Sequence, residues 1–140
     1  MSQYLDELEK KGLSLLIYKG EKIIFSSVNR GMMPLLEAVD KIGRNELRGT
    51  IVADKVVGKA AALLTLYMMV DEVHAALISI SAKKLLSKHG LRFYFFEDTL
   101  AIKNRSGTDI CPFERLVMDI FDPREAYKMI KSEITELSLD

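Results

Sequence analysis

Tryptophan is absent, cysteine occurs once and proline three times in 140 residues, and neither charge dominates. Each scarcity removes a class of protein. One cysteine, Cys111, allows no internal disulfide and no four-cysteine zinc site. Twenty Lys and Arg balance twenty Asp and Glu, so no overall field draws the chain to nucleic acid or to an anionic membrane. The most apolar run, residues 60–70, spans 11 positions, well short of the about 20 that cross a bilayer. "MSQYLDELEKKG" at the start is acidic and amphipathic, unlike a secretory or transit signal, and a cytoplasmic location is expected. What is present, 49% hydrophobic and 29% charged residues without repeats or low-complexity tracts, predicts a single globular domain over residues 1–140.

Periodicity and punctuation order the elements. Ser2 is positioned to cap a first helix running to about Lys10, and Gly12 ends it. "LSLLIYKGEKIIFSS" predicts two strands, 13–18 and 22–26, around a turn at Lys19-Gly20-Glu21. Pro34 opens the next helix, whose buried stripe is Leu35, Leu36, Val39 and Ile42. "GTIVA" (49–53) reads as a short buried strand, with Asp54 at its end capping a helix over 56–70 that is apolar nearly all round. "EVHAALISI" is a further buried strand, Ser81 caps a helix over 82–89, and "LRFYFFE" is a fifth strand. "TLAIKN" predicts a short hairpin strand before the "NRSG" turn. "CPFE" and "DPRE" mark two final helix starts, with Cys111 and Asp122 as caps. A hairpin followed by strand–helix–strand crossovers predicts a three-layer α/β/α sheet, mixed at the hairpin and parallel elsewhere.

Two places carry candidate chemistry. "ADKVVGKA" (53–60) has the outline of a phosphate-binding loop, but Ala53 stands where the first glycine belongs and Ala60 where a hydroxyl would hold Mg²⁺. What survives is a helix start with Lys55 and Lys59, an arrangement able to hold an anion; the alternative is that Gly58 and the alanines let helix and sheet approach closely. Asp54 is a candidate ligand contact or nucleophile. Cys111, at a helix start with Glu114 one turn on, is a candidate nucleophile with an acid–base neighbour; the alternative is a capping box completed by Glu114. His74 in an apolar strand and His89 beside Gly90 read as structural or solvated, and Met32, Met33, Met68 and Met69 as packing residues.

The order hairpin, helix, strand, helix, strand, helix, strand resembles the cytidine-deaminase-like fold. Deaminases hold zinc with a His- or Cys-Ala-Glu motif and a Pro-Cys-x-x-Cys motif. The corresponding stretches here, "NRGMMP" (29–34) and "ADKVVGKA", contain none of those ligands and no proton-shuttling Glu, so zinc-dependent deamination is not expected. With "SSVNRGMMPLLEAV" and "CPFE", the chain resembles a small, functionally uncharacterised prokaryotic family of that fold. By position, the resemblance implies a cleft bordered by Ser26, Arg30, Gly31, Asp54, Lys55, Gly58 and Lys59. The expected ligand is a small, nucleotide-derived, phosphate-bearing molecule, possible also as a covalent adduct, with no metal and no certain cofactor. The alternative is a non-catalytic module that binds a ligand, a partner or a second copy of itself, through Met32-Met33 or the strand Phe93–Phe96.

Overall fold

A computed structural model describes residues 1–139. Five strands form one mixed sheet in the order β2-β1-β3-β4-β5. The strands are β1 (Leu15–Lys19), β2 (Lys22–Ser27), β3 (Ile51–Val57), β4 (Glu72–Ser79) and β5 (Arg92–Thr99). β1 runs antiparallel to both β2 and β3, whereas β3, β4 and β5 are mutually parallel. The helices are α1 (Gln3–Lys10), α2 (Met33–Lys41), α3 (Arg44–Leu47), α4 (Lys59–Met68), α5 (Ile80–Lys88), α6 (Pro112–Leu116) and α7 (Pro123–Leu139).

The two faces of the sheet are covered unequally. Leu15, Ile17, Val52, Val73, Ala75 and Ile78 point to the side where α2, α4, α5 and α7 bury their apolar stripes. Helix α4 is the centre of that side, and its residues Ala60 to Leu64 are all at most 3% exposed. Removing a side chain such as Leu63 or Leu64 would cost about 2–5 kcal/mol, because neighbours this tightly packed cannot collapse into the space. On the opposite side, among the described residues, only α1 covers the sheet, laying Leu5 and Leu8 on Leu16, Tyr18 and Ala53. It packs chiefly on β1, β3 and β4, and on this face Tyr94 and Phe96 of β5 stay 49% and 57% exposed.

Local chemistry explains most boundaries, including those that differ from expectation. Ser2 Oγ accepts from Leu5 N, as expected of a cap. β1 begins at Leu15, not Leu13, because Leu13 N is drawn back to Leu8 O at the helix end. β3 continues past Ala53 to Val57, pairing Val56 with Leu77 and Val57 with Ile78, so Asp54 lies within the strand and does not cap α4. Gly58 takes the cap position and the helix starts at Lys59. Ser79, not Ser81, caps α5 by accepting from Ala82 N, and Ser81 Oγ bonds to Ser79 Oγ. The hairpin expected after β5 is reduced to one bridge, Lys103 to Ile110. Asp122 caps α7 through Glu125 N. Met32 and Met68 are buried, but Met33 and Met69 are 42% and 47% exposed and do not pack inside.

Candidate functional site

Beyond the carboxyl ends of the three parallel strands lies a cavity of about 440 Å³. Each strand delivers a wall residue just after it ends: Lys59 after β3, Ser81 after β4 and Leu100 after β5. This is where open α/β sheets place their ligands. The loop after β5 and α6 fold back as an arm and close the side, contributing Ala101, Ile102, Ile110, Glu114 and Met118, with Phe121 beyond them. The floor is therefore apolar. Charge comes from Lys59, Lys84 and Lys88 against one carboxylate, Glu114.

That carboxylate is already committed. Glu114 Oε1 accepts from Lys59 N at 2.7 Å and Oε2 from Ala60 N at 2.8 Å. A side chain 55 positions away thus satisfies the free amides at the start of α4, where the helix dipole favours negative charge. Gly58 makes room for it. Its φ is −96°, which any residue adopts, but a Cβ there would overlap Glu114 Oε1 and Cδ and lie 2.8 Å from Oε2. The glycine serves packing against the arm, neither a phosphate loop nor a strained turn. Glu114 does not complete a capping box on α6, since Cys111 makes no side-chain capping bond there.

Lys59 is 8% exposed. Its ammonium donates to Met118 O at 2.8 Å and lies 3.9 Å from the Phe121 ring centroid. Burial pulls its pKa below the ordinary lysine value, against the opposing pull of the Asp119 and Glu114 charges. Its aliphatic stem and head both hold the arm down, so it acts as a clamp as well as a wall.

The remaining sequence-derived candidates fall elsewhere. Asp54 shares a row with Leu15 and Ala75 on the helix-rich face, is partly buried, and lies outside the cavity wall. Burial pushes its carboxyl up to about 7, opposed by hydrogen bonding to the amides of Val56 and Lys55. Ser26 sits opposite Leu16, whose row packs under α1, so it does not share the face of Asp54; the neighbouring Ser27 pairs with Leu15 and does. Arg30 and Gly31 are exposed in the turn before α2, Gly31 with φ of +71°. Lys55 is exposed on β3. Cys111 is half-buried at the start of α6 and is not part of the cavity wall. The cluster expected around "NRGMMP" and "ADKVVGKA" is therefore split, and Lys59 and Glu114 alone line the cavity.

The sequence reading missed Ser81, Lys84 and Lys88. With Leu85 they repeat at i, i+3, i+4 and i+7 along α5, a signal of one helix face visible in "SAKKLLSK". His74 is structural in this setting. Its Nδ1 lies 2.8 Å from Ser2 Oγ and its Nε2 2.7 Å from Glu72 Oε1, with the Tyr94 ring stacked against it and the Tyr4 ring tilted onto it. Ser2, His74 and Glu72 follow the order of a hydrolytic triad, but the ring is 4% exposed and the hydroxyl serves as the α1 cap. Among the described residues, no three His, Cys, Asp or Glu side chains converge as a metal site, and no helix is long and apolar enough to cross a membrane.

No curated protein matches the sequence. A solved structure that does match is the crystal structure of a DUF1893 family protein, TM1506, from Thermotoga maritima, 37% identical, with a TM-score of 0.85 over 95% of this chain and 92% of that one. Residues 3–134 match the family model described as a domain of unknown function, DUF1893. That match covers nearly all of the sequence, and the chain belongs to the DUF1893 family.

Proposed function

We propose that the protein binds a small anionic molecule with an apolar or aromatic body in the cavity at the strand ends, and that a nucleotide-derived, phosphate-bearing compound is the class to expect. The observation that carries this reading is the composition of the wall: an apolar floor from Leu85, Leu100, Ile102, Ile110 and Phe121 beneath Lys59, Lys84 and Lys88. A volume of about 440 Å³ falls within the range for small-molecule sites. Because Glu114 already holds the amides of α4, phosphate is expected on Lys84 and Lys88, one turn apart, and not on the helix start. The same reading takes the fold as cytidine-deaminase-like, on the order of hairpin and crossovers, with Lys59 and the Glu114 carboxylate at the helix start where that fold keeps its zinc cysteines.

Thermal-shift and calorimetric titrations with AMP, ATP, coenzyme A and inorganic phosphate test the proposal. A nucleotide or coenzyme A should raise Tm where inorganic phosphate alone does not, since only the former fills the apolar floor. Replacing both Lys84 and Lys88 by alanine should weaken binding by about a hundredfold or more, each charged hydrogen bond contributing roughly 1.5–3 kcal/mol. Binding should also weaken as salt rises. If none of these compounds shifts Tm and the intact mass equals that of the bare chain, both the non-covalent and the covalent readings fail.

A further inference from the structure

We infer that Lys59 is a nucleophilic lysine, and that the molecule held in the cavity carries an aldehyde or ketone which Lys59 Nζ captures as an imine. The inference rests on the proposed binding of a small anionic ligand there and adds a reactive group to that ligand. Among the described residues, no other Lys, Arg, Asp or Glu has as little surface exposed as Lys59. Its ammonium nevertheless makes no salt bridge with any of them. What touches Nζ is one backbone carbonyl, Met118 O, and the face of the Phe121 ring.

A buried charge without an ion-pair partner is costly, and an amine relieves that cost by giving up its proton. Burial accordingly pulls the Lys59 pKa down, against the Asp119 and Glu114 charges that pull it up. The neutral amine still donates one N–H to Met118 O, which fixes Nζ and leaves its lone pair free. Met118 and Phe121 both belong to the cavity wall, so Nζ sits at the cavity surface. Phe121 is 61% exposed, and its ring can swing aside without disturbing the core. Lys84 and Lys88 are exposed on α5 and suit the phosphate, whereas the buried amine suits the carbonyl.

The step balances without an oxidant or a reductant. The lone pair of Nζ adds to the carbonyl carbon, forming a C–N bond as the C=O π pair moves to oxygen. Both amine hydrogens end on that oxygen, which leaves as water, and a C=N bond remains. The apolar floor of Leu85, Leu100 and Ile102 favours this product by limiting the water that would hydrolyse it.

Pyridoxal phosphate, which joins a phosphate, an aromatic ring and an aldehyde, is the probe. Pyridoxine phosphate, the corresponding alcohol, is the unreactive control. Both should raise Tm. With cyanoborohydride present to reduce imines, intact mass and peptide mapping of the full chain should place the first equivalent of pyridoxal phosphate on Lys59. Excess pyridoxine phosphate should suppress that adduct. Lys59→Arg keeps a cation for Met118 O and Phe121 and should lose it. Lys84→Ala/Lys88→Ala should slow trapping on Lys59 by about a hundredfold below saturation, because the phosphate loses two charged hydrogen bonds. Pyridoxal, which has no phosphate, should react equally fast with that variant and with the wild type. A first adduct on Lys84 or Lys88, an unselective spread over the lysines, or no adduct overturns the inference. The wild-type map decides this even where Lys59→Arg fails to fold. If pyridoxine phosphate raises Tm and Lys59 does not capture the aldehyde, the imine fails and the cavity reading stands. If neither compound binds or reacts, both fail.

Discussion

Gly58→Ala should destabilise the protein by about 3 kcal/mol, although the glycine adopts an ordinary backbone conformation. The added methyl needs the space of the Glu114 carboxylate. Glu114 is a flexible side chain and can swing aside, so the cost is not a frozen clash. It is the loss of two charge-assisted bonds, from Lys59 N and Ala60 N, and of a negative charge at a helix start. Glu114→Ala should cost a similar amount. The diagnostic is their combination. Once Glu114 is gone, adding Gly58→Ala should cost no more than about 1 kcal/mol, the ordinary penalty for alanine at a cap. Urea titrations of the four proteins give the coupling directly, and additive single effects would falsify the assignment of Gly58 to Glu114.

Asp54→Asn should act in the opposite direction, and only above acid pH. Folding raises the Asp54 carboxyl from near 3.8 to about 7. Between those values the folded chain holds a proton that the unfolded chain has released, so stability falls as pH climbs from about 4 to about 7 and then levels off. A gap of roughly three units corresponds to at most about 4 kcal/mol at pH 8. Asparagine cannot ionise, so the variant should gain up to that amount at pH 8 and nothing near pH 4. Unfolding midpoints measured across that range check the sign, and a difference that does not vary with pH would show that Asp54 is not held protonated by burial.

Element types were largely legible because they depend on local period. The apolar stripe of α2, the all-round apolarity of α4 and the two apolar runs on either side of the Lys19-Gly20-Glu21 turn each placed an element correctly. The errors arose where two local rules competed. "ADKVV" offers an aspartate cap and also two β-branched residues, and pairing with β4 decided for the strand, carrying Asp54 inside it. Two serines stood near the start of α5, and the one at the strand end had the extended backbone that a cap requires. Glu114 shows the deeper limit. Its spacing from Cys111 fits a capping box on its own helix, yet its carboxylate caps a different one. No window of local sequence contains both partners. The cavity lysines were legible in principle as a stripe on α5, but a lysine stripe signals a solvated face until the arm that roofs it is known.

Glu114 also ties together segments that fold on different terms. Its bond to Lys59 N closes a loop of 55 positions, whereas the β3–β4 and β4–β5 ladders join consecutive strands. The ladders can form first and persist while the arm lifts, because the sheet does not depend on Glu114 for any of its bonds. The amides of Lys59 and Ala60 should then exchange with solvent deuterium at the rate of arm opening, faster than buried amides of β3 and β4. A single carboxylate would thus give the entrance of the cavity its own clock, separate from that of the domain that carries it.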